Sequence, residues 1–155
     1  MTALEDIEVV FSILHDGSIT AWSGDTNLLT LTIECQYLAE CIDKSYSRFD
    51  VKLTQVEELL LTTWPKPIEL PVQRFTKPDD IFKAELEILT ANIKDGRVVI
   101  ACRQDNKDFD YSGGNLTLRC KAIKISDQNK NEISIAQFKI LGKRYWDEFK
   151  SFKGA

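Results

Sequence analysis

A chain of 155 residues with 43% hydrophobic and 28% charged residues has the size and composition of one folded domain, which excludes a wholly disordered chain. A protein that binds a phosphate backbone over a broad face is usually basic, so the formal net charge of −4 disfavours this class of partner and we expect no nucleic-acid partner. Residues 139–153 are locally basic, with five basic and two acidic side chains and a net charge of +3. The remaining residues therefore carry a net charge of −7.

The first predicted element covers residues 3–11, whose pattern fits either a helix or a strand. Thr2 as a cap and the acids Glu5 and Asp6 in the opening turn favour a helix, whereas the β-branched residues favour a strand. We predict a short helix. The same acids stand where a secretion signal carries basic residues, and no stretch reaches the ~18–20 apolar residues of a membrane span. We therefore expect a cytoplasmic protein with no membrane partner.

A β-hairpin follows, with arms at residues 18–22 and 28–35. The second arm alternates between apolar and polar residues, which predicts an antiparallel strand with one buried and one solvent-facing side. Residues 48–56 repeat the alternation, and more strand follows after Glu57. The prolines between Pro65 and Pro78 predict a long surface connection that ends in a single helical turn.

Further hairpins make up the second half of the chain. Asp95-Gly96 is a strong two-residue turn signal between predicted strands at residues 84–94 and 97–103. A polar loop over residues 104–114 comes next, and we interpret Gly113-Gly114 within it as a turn pair.

The last forty residues predict a strand and an amphipathic helix. Residues 115–125 form the strand, and residues 132–135 are either a further strand or the start of the helix. Gly142 weakens that helix by about 1 kcal/mol relative to alanine without breaking it. Aromatic and leucine side chains recur every three or four residues as one apolar stripe. The stripe consists of Phe138, Leu141, Tyr145, Phe149 and Phe152.

These elements predict an α+β fold in a single domain over residues 1–155. The expected architecture is a curved, mainly antiparallel β-sheet or roll of about seven to eight strands, with a C-terminal amphipathic helix and a short N-terminal helix. The strand–helix alternation of a nucleotide-binding α/β fold is missing from the pattern.

The cysteines do not have the spacing of a zinc site, because none forms C-x-x-C and the chain holds one histidine. Cys35, Cys102 and Cys120 continue apolar strand faces, so we predict buried thiols rather than a metal or redox site.

The acidic loop that begins at Asp105 lacks oxygen ligands at its third and fifth positions. The loop that begins at Asp127 matches the first three ligand positions of a calcium loop but has Glu132 where glycine is needed and Phe138 where the final glutamate belongs. No phosphate-binding, metalloprotease, kinase or hydrolase motif occurs, and we expect no metal and no cofactor.

His15 is the only histidine, and it stands immediately before Asp16 and Gly17. A catalytic imidazole needs a carboxylate that reaches its ring, but neighbours on an extended strand point to opposite faces. Aspartate and glycine favour a turn, and a partly buried imidazole can bond a backbone carbonyl there. We predict that His15 and Asp16 anchor the first hairpin, with a partner contact as the alternative and no residue assigned to catalysis.

Two tryptophans are the other candidate contact or anchor residues. Trp64 precedes the proline-rich connection, where it either covers the core or meets a partner. Trp146 lies in the tail KRYWDEFKSFK, whose mixture of basic and aromatic residues is also found in surfaces that bind nucleic acids or membranes. The apolar stripe favours a docked helix over a partner or oligomer surface.

The opening FSILHDGSITAWSGDTNLLTLTIEC, residues 11–35, resembles a family of small uncharacterised bacterial domains that begin with a Leu/Phe-His-Asp-Gly/Ala-x-Ile hairpin. Some of these domains are similar to immunity-type proteins, which neutralise toxins made by neighbouring cells. The resemblance implies an α+β cytoplasmic domain that acts by binding. His15, Asp16 and Gly17 match the pattern, to which no activity is attached.

We therefore expect a non-enzymatic, immunity-like binding module whose acidic surface meets a basic protein. Two alternatives stay open: a small-ligand binder or enzyme with its site near His15, and a structural homodimer. A closed polar pocket that contains His15 would favour the first alternative, and a symmetric apolar interface would favour the second.

Overall fold

The computed structural model describes residues 2–154 and the side chains of residues 2–147. The strand pairings in this part of the chain are antiparallel, and the α+β class with a short N-terminal and a C-terminal helix is confirmed. The helices and strands of the described part are, in chain order, α1 (Ala3–Ile13), β1 (Ser18–Gly24), β2 (Leu28–Glu34), α2 (Gln36–Ala39), β3 (Arg48–Pro65), β4 (Arg74–Phe75), α3 (Pro78–Ile81), β5 (Leu86–Lys94), β6 (Arg97–Arg103), β7 (Tyr111–Ser126), β8 (Glu132–Ile133) and α4 (Ile135–Gly154).

Six strands form a closed ring of pairings in the order β1, β2, β3, β7, β6 and β5. The ring closes between β1 and β5 through two residue pairs, Ser18 with Glu87 and Ile19 with Leu86. The two-residue strands β4 and β8 pair outside the ring, with β3 and β7 respectively. Closure removes most of the free edges that an open sheet of this size would present.

The long strands β3 and β7 pair with each other over nearly their whole lengths and join the two halves of the ring. A register shift between Val56 and Glu58, next to Gln55 with a φ of 49°, marks a β-bulge that bends the pair. On its other edge β3 pairs first with β2 and then with β4. The sequence predicts strand on both sides of Glu57, and the structure shows that the two stretches are one strand.

The first element is the helix α1, so the helix interpretation of residues 3–11 is confirmed over the strand interpretation. Thr2 Oγ1 accepts a hydrogen bond from Glu5 N at 3.2 Å, which satisfies one of the free N–H groups of the first turn. Ile7, Val10 and Phe11 are fully buried as α1 packs against β5, β7 and β6. The β-branched residues that favour a strand therefore serve as the apolar face of a helix.

The core lies inside the ring, where alternate strand residues meet the apolar face of α1. The predicted alternation of the second hairpin arm is confirmed, because its apolar face, formed by Leu29, Leu31, Ile33 and Cys35, is at most 2% exposed. Each fully buried leucine or isoleucine contributes about 1.5–3 kcal/mol. The inward-facing strand residues include Leu29, Leu31, Ile33, Phe49, Val51, Leu53, Val98, Ile100, Leu116, Leu118 and Ile125.

The C-terminal helix α4 packs its predicted stripe onto the ring. Phe138 is fully buried and meets Phe49 edge to face, with 5.4 Å between ring centroids, and Leu141 is 9% exposed. The last two residues of the predicted stripe, Phe149 and Phe152, lie outside the described side chains.

Gly142 lies where α4 packs tightly against Ile13 of α1. A Cβ atom at this position would lie 3.0 Å from Ile13 Cγ2, tighter than ordinary van der Waals contact. From the sequence, this glycine is expected only to weaken the helix. The structure shows that the absence of a Cβ atom also lets α4 pack against Ile13.

The prediction that Gly113-Gly114 is a turn pair is wrong. Both residues lie in β7, which begins at Tyr111, and Gly113 is in register with Arg103 of β6. A Cβ atom on Gly113 would lie 2.1 Å from the Cys102 carbonyl oxygen. These glycines therefore allow neighbouring backbones to approach closely within the sheet. A glycine pair suits such a close approach as well as it suits a turn.

The proline-rich connection runs along the surface as predicted, with β4 as an addition that the sequence does not show. The predicted helical turn is α3, which begins at Pro78 and buries Ile81. Within the described residues, none of the helices combines the length and the apolar character that crossing a bilayer requires.

Candidate functional site

The turn between α1 and β1 contains two of the predicted site residues, His15 and Asp16. Asp16 adopts a left-handed conformation with a φ of 67°, which aspartate tolerates better than most residues. Asp16 N donates to Ile88 O at 2.7 Å, and Ile88 N donates to Gly17 O at 2.8 Å, so the turn is tied to β5. A Cβ atom on Gly17 would lie 2.8 Å from Leu14 O, which explains the glycine.

The His15 imidazole is held from two sides. Its Nδ1 lies 2.9 Å from Ser12 O, so in the neutral ring Nδ1 carries the proton and Nε2 the lone pair. Nε2 is 3.9 Å from the Asp16 carboxylate, beyond hydrogen-bond distance. The ring stacks on Trp146 with a centroid distance of 5.0 Å and an interplanar angle of 15°. The carboxylate therefore does not orient this imidazole as it would in a catalytic dyad.

Two tyrosines complete the cluster that we call the aromatic junction: His15, Tyr37, Tyr145 and Trp146. The Tyr37 hydroxyl donates to His15 O, and its ring lies 4.5 Å from the ring of Tyr145. Tyr145 in turn meets Trp146 edge to face at 5.4 Å. Burial raises the pKa of both tyrosines, so their hydroxyls are protonated donors at neutral pH. The junction joins the first turn, α2 and α4.

Three of the cysteine thiols, one of them next to the junction, are in the wrong state for nucleophilic chemistry. Burial raises the pKa of Cys35 to about 11, that of Cys102 to about 12 and that of Cys120 to about 11. These three side chains are buried, as predicted, and Cys41 is half-buried. Because the thiolate is the reactive form, the three buried groups are inert near neutral pH.

The surroundings of the junction offer hydrogen bonding and stacking. In the described part of the chain, no three His, Cys, Asp or Glu side chains come close enough together to hold a metal ion. A cavity of about 460 Å³ lies beside the junction, and His15 is not among its lining residues. That cavity is lined by Tyr37, Glu40, Cys41, Lys44 and Tyr145.

Three of the four predicted contact or anchor residues lie close together: His15 and Trp146 belong to the junction, and the carboxylate of Asp16 lies 3.9 Å from His15 Nε2. Trp64 lies elsewhere, near the end of β3 and beside Pro65, and it is half-buried. Sequence reasoning missed Tyr37, because α2 has only four residues and shows no periodic pattern. Its contacts with the other rings are made by packing between segments distant in the chain.

A second candidate site is the cleft alongside the middle of β3, which no sequence motif marks. It encloses about 450 Å³ and lies between the β1–β2 turn, β3 and the segment before α3. Its floor is mainly apolar. We call this site the β3 cleft, and its lining residues are Asp25, Thr26, Leu29, Val56, Glu57, Glu58, Leu59, Leu60, Thr76 and Pro78.

Carboxylates line the rim of the β3 cleft. Asp25 Oδ1 accepts hydrogen bonds from two backbone N–H groups of the β1–β2 turn, at 2.9 and 3.2 Å. Glu58 forms an ion pair with Arg97 Nε at 2.7 Å, which balances its charge. Glu57 is exposed, and it adds to the effect of burial in raising the pKa of Cys120. Asp25 and Glu57 therefore give the rim a net negative charge.

Comparisons of the chain with protein-family models, curated proteins and solved structures found no match. We therefore infer function from the chemistry of the two sites.

Proposed function

We propose that this chain is a non-enzymatic protein-binding domain that receives basic and apolar side chains of a partner protein in the β3 cleft. The observation that carries the proposal is the combination of an apolar floor with a negatively charged rim, formed by Asp25 and Glu57. Concave, mainly apolar sites with a few polar groups at fixed positions are typical of binding sites in proteins.

The charge of the whole molecule supports a basic partner. Outside residues 139–153 the chain carries a net −7, so a basic protein is attracted before it makes contact. Complementary charge increases the association rate and the specificity more than it increases the affinity. Apolar contacts with the floor of the cleft then supply most of the binding free energy.

The sequence resemblance to immunity-type proteins names one class of partner within this proposal. In that case the partner is a toxin made by a neighbouring cell, and the domain neutralises it by binding. The aromatic junction then serves as the internal support that holds α4 and the first turn in place.

Capture of partners with matched charge variants tests the proposal. The tagged chain, the cleft variant Asp25→Asn/Glu57→Lys and the control variant Asp108→Asn/Glu69→Lys are crosslinked in the cells that make the protein. Both variants change the net charge equally, and Asp25→Asn keeps the acceptor that closes the turn. We expect a basic protein that the native chain and the control retain and the cleft variant loses. Equal retention by all three would contradict the proposal.

A further inference from the structure

One edge of β3 is paired at both ends and open in the middle. β2 pairs with β3 up to Thr54, and Val56 N donates to Thr26 O at 2.7 Å. Pairing with β4 begins at Leu61. Among the described residues, positions 57–60 have no strand partner on this edge, and the same four residues line the β3 cleft.

The backbone of Leu59 points into this opening. Thr63 N donates to Gln73 O at 3.0 Å, on the side of β4. Backbone groups of alternate strand residues point to the same edge, and the register of β3 against β7 is regular from Glu58 to Thr63. The N–H and C=O groups of Leu59 therefore face the cleft, as one donor and one acceptor at the same position.

The opening has the length of a short strand. Four residues at ~3.4 Å each span about 14 Å, which accommodates three or four residues of a second chain. Because β2 and β4 occupy the edge on either side, the second chain has to enter and leave the cleft outward. A loop or the end of a strand fits this geometry, and a long strand does not.

The side chains around the opening specify what such a segment carries. Successive side chains of an extended segment point to opposite faces, so one set lies over the apolar floor near Leu29 and Val56. Valine and isoleucine suit that floor, since they favour the extended conformation. One end of the segment comes near Asp25 and Glu57, because both carboxylates lie at the β2 end of the opening, where Val56 N donates to Thr26 O. Their charges suit a lysine or arginine at that end of the segment.

We propose that the partner binds through a short extended segment that adds to β3 and exchanges two backbone hydrogen bonds with Leu59. The segment carries a β-branched apolar residue over the floor and a lysine or arginine at the end that faces Asp25 and Glu57, and a probe with lysine at both ends meets these carboxylates in either strand direction. This inference rests on the proposed function and adds to it the way in which the partner is recognised, by strand addition to an interrupted sheet edge.

NMR titration of the whole chain with synthetic peptides tests strand addition. The probe is acetyl-Lys-Val-Thr-Val-Lys-amide at millimolar concentration. One control carries an N-methyl group on the central threonine, and the other has glutamate in place of both lysines. We expect the probe to shift the Leu59 amide resonance and to slow its hydrogen exchange by about tenfold or more at saturation. The N-methyl peptide, which lacks the central donor, should leave the exchange rate of Leu59 unchanged.

The variant Leu59→Pro provides a second test on the protein side. Proline removes the N–H group that faces the cleft and leaves the ladder with β7 intact, whereas Leu59→Ala shortens the side chain and keeps the donor. We expect the alanine variant to bind the probe and the proline variant to lose it. If the proline variant does not fold, the N-methyl peptide still decides the question on the native chain.

The outcomes separate this inference from the proposed function. Equal binding of the N-methyl peptide, or no perturbation of residues 57–60 by the probe, overturns strand addition and leaves the charge-based capture experiment to judge the function. Protection of Leu59 by the lysine and the glutamate peptides alike supports strand addition and contradicts the basic partner.

Discussion

The aromatic junction and the β3 cleft use their polar groups in opposite ways. At the junction, His15 Nδ1 lies against the Ser12 carbonyl and the Tyr37 hydroxyl bonds the carbonyl of His15, so these groups are satisfied internally. At the cleft, the backbone of Leu59 and the carboxylate of Glu57 face the opening. His15, the most conspicuous residue in the sequence, makes internal contacts, while the groups that face the cleft belong to no sequence motif.

Loss of the main packing contact of α4, the helix that supports the junction, has the largest expected effect on stability. Phe138→Ala removes a fully buried ring that packs against Phe49, and we expect the free energy of unfolding to fall by about 3–5 kcal/mol. The matched control is Ile140→Ala on the same helix, where the side chain is 65% exposed, with an expected change below about 0.5 kcal/mol. Urea denaturation measures both, and similar losses would contradict the docking of α4.

The alkylation rate of Cys35, the thiol next to the junction, reports how well this region is shielded from solvent. Burial raises the pKa of Cys35 from 9.0 to about 11. We therefore expect iodoacetamide at pH 8 to alkylate Cys35 about a hundredfold more slowly in the folded chain than in guanidinium, as read by mass spectrometry. Alkylation at the unfolded rate would show that the region opens freely.

The same thiol links stability to pH. The folded state favours the protonated thiol of Cys35, because burial raises its pKa. The stability that folding gains from this preference is complete below pH 9.0 and is lost as the pH rises through about 11. Cys35→Ala should reduce the loss of stability over this interval in denaturation curves recorded at several pH values. An unchanged dependence on pH would mean that other groups account for it.

A smaller effect is expected from the half-buried ring of Trp146. Trp146→Ala removes the ring stacked on His15, and we expect a loss of about 1–2 kcal/mol in thermal or urea unfolding. Trp146→Phe keeps an aromatic ring at the position and should recover most of that loss. If both variants are as stable as the native chain, the junction contributes nothing to holding α4.

The smallest effect on stability is expected at the cleft. Glu57→Lys should change the free energy of unfolding by less than about 0.5 kcal/mol, because the side chain is exposed. It should also lower the pKa of Cys120, which burial raises first and the charge of Glu57 raises further. Faster alkylation of Cys120 at pH 9 than in Glu57→Gln would show this. A fall in the free energy of unfolding above about 1 kcal/mol would mean that Glu57 has a structural role, as the residues of the junction do.

Most of the strands and turns were predictable because their signals are local. The alternation in β2, the Asp95-Gly96 turn and the Thr2 cap each depend on a few neighbouring residues. The error at Gly113-Gly114 has the opposite origin: a glycine pair suits a turn and a close strand approach equally well, and the β6 backbone that decides between them is distant in the sequence.

The candidate sites were predictable only in part. The turn of His15 and Asp16 could be inferred from local backbone preferences, but its contact with Trp146 required the docking of α4. The β3 cleft could not be inferred, since it exists where β2 ends and β4 begins along one edge of β3. Pairing between distant segments sets such an opening, and residue types do not record it.

By itself the sequence determined the α+β class, the order and type of nearly all the elements, and which face of each is apolar. These properties follow from side-chain periodicity and turn chemistry, which act over a few residues. Only the tertiary structure decided that six strands close into a ring, that Gly142 brings α4 onto α1, and that Leu59 faces an opening. Those results depend on contacts between residues far apart in the chain.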